Sequence, residues 1–245
     1  MNGIRMSTTE PAAALDPTPE KGTGGRITRL EKLTPTSTLV RLAGPKLVGF
    51  RWTPGDHIRI PIGSLFVLRT YSIWDADPEE GWLEMVHFHH GTPNSVGLEW
   101  AEKLRVGQYV RIIRDPRTFK VVPSAAYHVF VGEETAAAGF GAMIRSLPAG
   151  ADVRGVIQAD TAADHIELPR PLQRIERNGE PAASSQQLAD AVAALELPDQ
   201  PGVAYLAGEA RTLQLVRSHL VRERGWPRRN VVTKPFWTPG RRGMD

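Results

Sequence analysis

Arg69-Thr70-Tyr71-Ser72 sets four side chains with ligand-binding chemistry in a row. On a β-strand, where neighbours alternate between faces, Arg69 and Tyr71 share one side and Thr70 and Ser72 the other. A guanidinium presents a fork of donors matched to phosphate oxygens, and a phenol presents a flat ring with a hydroxyl. A serine hydroxyl can donate to a ring nitrogen. The set suits a flat aromatic ligand that also carries phosphates; the plain alternative is an Arg and a Tyr on an ordinary strand. His87, His89 and His90 form a second concentration, with His87 and His89 on one face by alternation. Imidazoles can ligate zinc, copper or iron, but no carboxylate at suitable spacing accompanies them, and no metal site is expected. Gly132 and Gly208 end apolar runs, the position at which α/β sheets bind nucleotides. A Gly-x-Gly-x-x-Gly fingerprint is absent.

Two kinds of framework must position these residues. Arg26–Leu33, Thr38–Leu42, His57–Pro61, Arg69–Trp74, Trp82–Phe88 and Tyr109–Ile113 are short segments rich in Ile, Val, Leu and aromatics. Turn signals at Gly44–Pro45, Pro54–Gly55, Asp77–Pro78 and Val106–Gly107 separate them, a pattern of antiparallel barrels and sandwiches. A helix is expected around Val96–Leu104. From about Ala125 the texture changes to strands (Tyr127–Val131, Val153–Ala159, Val203–Ala207, Asn230–Lys234) alternating with helices (Thr135–Leu147, Gln186–Leu195, Glu209–Arg224). That alternation indicates βα units on a parallel sheet. Residues 1–25 read as a flexible leader, 26–124 as a β-barrel, 125–245 as an α/β domain, and 176–187 as a surface loop.

Composition narrows the classes. Of 245 residues, 41% are hydrophobic and 23% charged, which excludes a disordered or fibrous chain. The absence of cysteine removes disulfides, thiolate metal sites, iron–sulfur clusters and cysteine nucleophiles. No apolar run reaches membrane-spanning length and the leader has no targeting signature, so a cytoplasmic protein is expected. The net charge is +3, but Arg211–Asp245 holds nine Arg or Lys against Glu223 and Asp245. This basic end fits a surface that meets anions, or a solvated basic face. Nucleic-acid binding is not expected, because the basic residues lack interleaved aromatics on a barrel face.

The order of motifs carries a resemblance. Pro54-Gly55-Asp56-His57 precedes Arg69-Thr70-Tyr71-Ser72, and His90-Gly91-Thr92-Pro93-Asn94-Ser95 with Trp100-Ala101 follows it. Then come Val106-Gly107-Gln108, Asp115-Pro116-Arg117, Gly132-Glu133-Glu134-Thr135-Ala136, Ala207-Gly208-Glu209 and Phe236-Trp237. This succession resembles the siderophore-interacting proteins, a family of FAD-dependent NAD(P)H ferric-siderophore reductases within the ferredoxin–NADP reductase superfamily. The sequence departs from that pattern at residues 91–99, at Asp115 where the family has glycine, at Ile175-Glu176-Arg177, and after Trp237, where Lys or Arg is usual.

The resemblance implies an N-terminal antiparallel Greek-key β-barrel that binds FAD, followed by a parallel-sheet α/β domain that binds NADPH or NADH. FAD would be held by Arg69 at the pyrophosphate, Tyr71 stacked on the isoalloxazine and Ser72 at its reactive nitrogen, with Thr70, His87, His89, His90, Gly91, Thr92, Asn94, Ser95 and Trp100 nearby. Gly132, Thr135, Gly208, Glu209 and Trp237 would form the nicotinamide side. Arg59, Arg117, Lys234 and Arg241 would form a basic bowl for an anionic ferric siderophore. No acid–base pair is required, and a monomer is expected. Two alternatives share these motifs: a general NAD(P)H–flavin or ferredoxin-type reductase with another acceptor, and a non-enzymatic flavin- or chelate-binding protein.

Overall fold

The computed structural model describes residues 22–89, 96–115 and 119–241, with the backbone alone at 64–66. Its first half contains β1 (Gly24–Thr34), β2 (Ser37–Ala43), β3 (His57–Ile62), β4 (Ser64–Asp77), β5 (Trp82–Phe88), α1 (Val96–Glu102), β6 (Tyr109–Arg111) and β7 (Ile113–Arg114). These strands pair antiparallel in the order β6-β1-β2-β5-β4-β3-β7. The sequence leads to one strand over Tyr109–Ile113; the structure divides it at buried Ile112 because its two halves serve opposite edges of the sheet. β6 pairs with β1 and β7 with β3, so the sheet all but closes into a barrel around Val40, Leu42, Ile58, Ile60, Ile73 and Met85. β1 begins two residues earlier than its apolar run. Gly24 and Gly25 let the chain pass so near Val110 and Ala43 that a Cβ at Gly24 would lie 2.3 Å from the Val110 carbonyl oxygen.

The second half contains β8 (His128–Glu133), α2 (Ala137–Arg145), β9 (Val153–Ala159), β10 (Gln173–Glu176), α3 (Gln186–Ala193), β11 (Val203–Glu209), α4 (Ala210–Ser218) and β12 (Val231–Trp237). The sheet is parallel, in the order β10-β9-β8-β11-β12. β8 and β11 are buried on both faces, as central parallel strands are. Phe130 packs with Tyr205 and α2, whereas Val129, Val131, Ala204 and Leu206 pack against α3 and α4. β10 has no counterpart in the sequence reading: Gln-Arg-Ile-Glu is a short edge strand with one apolar residue, which periodicity does not detect. The helix expected over Glu209–Arg224 exists, but after Ser218 it widens into a π-turn over His219–Glu223.

The halves meet through β4 and α2. The Trp74 ring lies where Gly141 leaves space, since a Cβ there would stand 2.2 Å from it. Arg145 stacks on Trp74 at 4.9 Å and donates to its carbonyl at 2.9 Å. Val86 and Phe88 of β5, with Phe119, join the α2-side core, so one apolar cluster spans both halves. Thr36 adds a hydrogen bond to Asp164 at 2.7 Å.

Candidate functional site at the domain junction

β4 carries the Arg-Thr-Tyr-Ser run in register with β3: Ile60 opposite Arg69, Arg59 opposite Thr70, Ile58 opposite Tyr71 and His57 opposite Ser72. Strand alternation then divides the four residues. Tyr71 packs on the barrel core, whereas buried Ser72 faces α2, its Oγ 3.2 Å from where a Gly139 Cβ would stand. Thr70 is exposed. Arg69 lies against Gly97 of α1 and donates to the Leu68 carbonyl at 3.0 Å; among the described residues no carboxylate pairs with it.

Aromatic rings surround Tyr71. Trp100 from α1 and His87 from β5 each lie 6.0 Å away, and the Tyr71 hydroxyl sits 3.3 Å from His87 Nδ1. His87 meets His89 edge-on at 4.8 Å, so the two share a face as alternation requires. Burial pushes the Tyr71 phenol well above its ordinary range, against the opposing pull of Arg69. Burial, with help from Lys32, holds the His89 imidazole below its ordinary value. His90, Gly91, Thr92, Asn94 and Ser95 lie outside the described residues, as does Arg117. Among the described residues no group of three or more His, Asp or Glu is arranged to hold a metal ion.

The nicotinamide-side candidates converge at the C-terminal ends of β8, β11 and β12. β9 and β10 lie on one side of β8, and β11 and β12 on the other, so the chain reverses direction between β8 and β11. Crevices at such reversals are where open α/β sheets bind ligands. Glu133 ends β8 and Glu209 ends β11, both fully buried, and Gly208 keeps a positive φ of 123° over Glu133. A Cβ on Gly208 would stand 2.7 Å from Glu133 Oε1.

Glu133 accepts hydrogen bonds from the Thr135 N–H at 2.7 Å, the Thr135 hydroxyl at 2.5 Å and Trp237 Nε1 at 2.8 Å. Burial, reinforced by neighbouring Glu134, nevertheless pushes its carboxyl up to about 7. Glu134 itself is clasped by both Arg177 nitrogens at 2.5 and 2.7 Å. Glu209 accepts from the N–H groups of Thr212, Arg211 and Ser184 at 2.9, 3.0 and 3.2 Å, and from the Thr238 hydroxyl at 2.8 Å. Burial pushes Glu209 up, but these donors outweigh it and hold the carboxyl below its ordinary range.

Two of the four proposed bowl cations come together. Arg59 and Lys234 approach Asp115 at 3.3 and 3.6 Å. Arg241 is exposed beyond β12, its backbone N–H on the Thr238 carbonyl at 3.3 Å, and no described contact joins it to that group. Sequence reasoning nominated neither Glu133 nor Asp115 for the site. The signals were an acidic pair closing an apolar strand run, and a carboxylate where the family pattern has glycine.

The residues fit a flavin nucleotide. Among the described residues no carboxylate claims the Arg69 guanidinium, and Tyr71 lies among Trp100 and His87 one step along the same face. The β-strand that carries both abuts α2, directly beside the sheet crevice.

Residues 125–240 match the family model described as Siderophore-interacting protein. Ferric vibriobactin reductase ViuB of Vibrio cholerae is 23% identical over 185 residues, covering 74% of this chain and 66% of that protein, so the chain spans somewhat less than two thirds of its relative. A siderophore utilization protein from T. fusca superposes with a TM-score of 0.80 at 24% identity, over 92% of this chain and 95% of that one. The ferredoxin reductase of carbazole 1,9a-dioxygenase, solved in an FAD apo form, superposes at 0.67 and 19% identity over 88% of this chain and 65% of that one. These superpositions establish the two-part architecture. Among the described residues no helix is long and apolar enough to cross a membrane.

Proposed function

We propose that this chain, whose residues 125–240 match the siderophore-interacting protein family model, is an FAD-dependent reductase which takes electrons from NADPH or NADH and reduces the Fe(III) of a bound siderophore. The observation that carries the reading is the placement of Arg69, Tyr71 and Ser72 on one strand, β4, wedged between the barrel and the switch crevice of the parallel sheet. Donor, flavin and acceptor can then meet at one junction.

When bound, the flavin supplies the exchange between a two-electron donor and a one-electron metal. The chain's residues bind and orient. Arg69 would hold the pyrophosphate, Tyr71 would lie against the isoalloxazine with Trp100 and His87 beside its own ring, and Ser72 stands at the α2 side of the strand. Gly132, Thr135, Gly208, Glu209 and Trp237 would form the walls for the nicotinamide nucleotide, with Gly208 allowing close approach. Ferric siderophores hold iron through hard oxygen donors, and reduction to Fe(II) weakens that hold, so electron delivery suffices for release. A general acid is not needed for electron transfer.

The test is direct. The purified chain should be yellow, lose its flavin absorbance on anaerobic addition of NADPH or NADH, and regain it on mixing with a ferric siderophore. Arg69→Ala should lower FAD occupancy about tenfold or more through loss of a charge-assisted phosphate contact. Full flavin content in that variant would remove the assignment, and flavin that no nicotinamide nucleotide bleaches would favour a carrier.

A further inference from the structure

Among the described residues, two buried carboxylates face four cations where β3, β7 and β12 meet. Asp115, its side chain fully buried, lies 3.3 Å from Arg59 Nη2 and 3.6 Å from Lys234 Nζ. Asp56, also buried, lies 3.5 Å from Arg114 Nη2 and 3.7 Å from Lys120 Nζ, and accepts the Thr53 N–H at 2.9 Å. The Asp115 group borders the strand that carries the proposed flavin site: Arg59 is opposite Thr70, and the Asp115 N–H donates to the carbonyl of His57, which is opposite Ser72. Two residues beyond Lys234, Phe236 meets the His57 ring edge-on at 5.5 Å. Two of the four cations nominated as the acceptor bowl, Arg59 and the buried Lys234, are therefore partly neutralised by Asp115.

A charge set in a low-dielectric wall changes the potential at the cleft mouth, and such potentials govern which charged partners approach and how fast. Resting on the reductase reading above, we propose that Asp115 sets selectivity by charge. By pairing with both Arg59 and Lys234 it lowers the positive potential of the acceptor face and tunes this chain to ferric chelates of little or no net charge, as tris-hydroxamates are, over trianionic tris-catecholates. A mere strut between barrel and sheet would make the same contacts. It differs in consequence, because removing a strut weakens the fold without changing charge preference.

Redox-inert gallium(III) chelates separate the two roles. Gallium(III) tris(acetohydroxamate) is neutral and gallium(III) tris-catecholate trianionic; each is titrated calorimetrically into the full chain at low and high salt. The wild type should bind the neutral complex at least as tightly as the trianion. Asp115→Asn should improve binding of the trianion relative to the neutral complex about tenfold at low ionic strength, and Lys234→Met should shift that ratio about tenfold the other way. Both shifts should shrink in about 0.5 M salt. A ratio unmoved in folded Asp115→Asn, a shift of the same sign in both variants, or a wild-type preference for the trianion would overturn the proposal. Where Asp115→Asn does not fold, Lys234→Met decides it alone. Flavin content is read on the same wild-type sample: its absence overturns the reductase reading and this proposal together, whereas a flavin-loaded protein with an unmoved ratio overturns this proposal only.

Discussion

Glu133 and Glu209 end adjacent parallel strands, lie at the same crevice and are both closed to solvent, yet their environments act in opposite directions. Both carboxylates turn back onto the segment that follows the strand, and both receive a donor from the end of β12 or just beyond it, Trp237 for Glu133 and Thr238 for Glu209. Glu209 meets three backbone N–H groups at the start of α4 and in the loop before α3, and no carboxylate stands beside it in sequence. Glu133 meets a single backbone N–H and has Glu134 as its neighbour. Desolvation costs each of them the charged form, and fixed donors restore it only where enough of them converge. The lesson is local: closure to solvent does not by itself decide ionisation, which depends on how deeply each carboxylate is desolvated and how many donors converge on it.

The largest way to break the contrast is Glu209→Ala. It strands several buried donors at once and should lower unfolding free energy by about 4 kcal/mol in urea titration at neutral pH. A loss under about 1 kcal/mol would mean those donors find water instead. The stability that Glu209 supplies is present above the ordinary carboxylate value and lost as pH falls through its lower folded value.

Glu133 has the opposite sign. Its folded value of about 7 exceeds the ordinary 4.5, so between those limits the native state binds more protons than the unfolded chain and stability falls as pH rises. Glu133→Gln should flatten that window, removing up to about 3 kcal/mol of pH dependence; an unchanged slope between pH 5 and 7 would assign the effect elsewhere. The smallest test is Trp237→Phe, which withdraws one donor from Glu133. Its cost should be about 1 kcal/mol, and the pH at which stability levels off should move upward. A downward move would contradict the present account of what opposes burial at Glu133.

How much of this was legible beforehand depends on the range of the interaction. β9 occupies the residues that its apolar run marks, Val153–Ala159, because a short central strand is defined by its own hydrophobicity. Arg69 and Tyr71 were recognisable because alternation along one strand is a local property. His87 and His89 share a face for the same reason. β10 escaped because Gln173, Arg174 and Glu176 give no apolar signal; β9 supplies its partner along a parallel edge. The division of Tyr109–Arg114 at Ile112 likewise follows from barrel closure, which no window of sequence contains.

The sequence by itself determined the two-part framework, the strand that carries Arg69 to Ser72, and the composition that leaves cysteine chemistry out. Those properties arise from nearest-neighbour alternation and short-range turn chemistry. Only the tertiary structure decided that Trp237 reaches Glu133 across 104 residues, that Ser72 faces α2, and that Asp115 binds both Arg59 and Lys234. Such pairings depend on which strand ends meet and how much water remains between them. Ionisation and charge balance at a junction belong to the assembled fold, because both depend on burial and on groups distant along the chain.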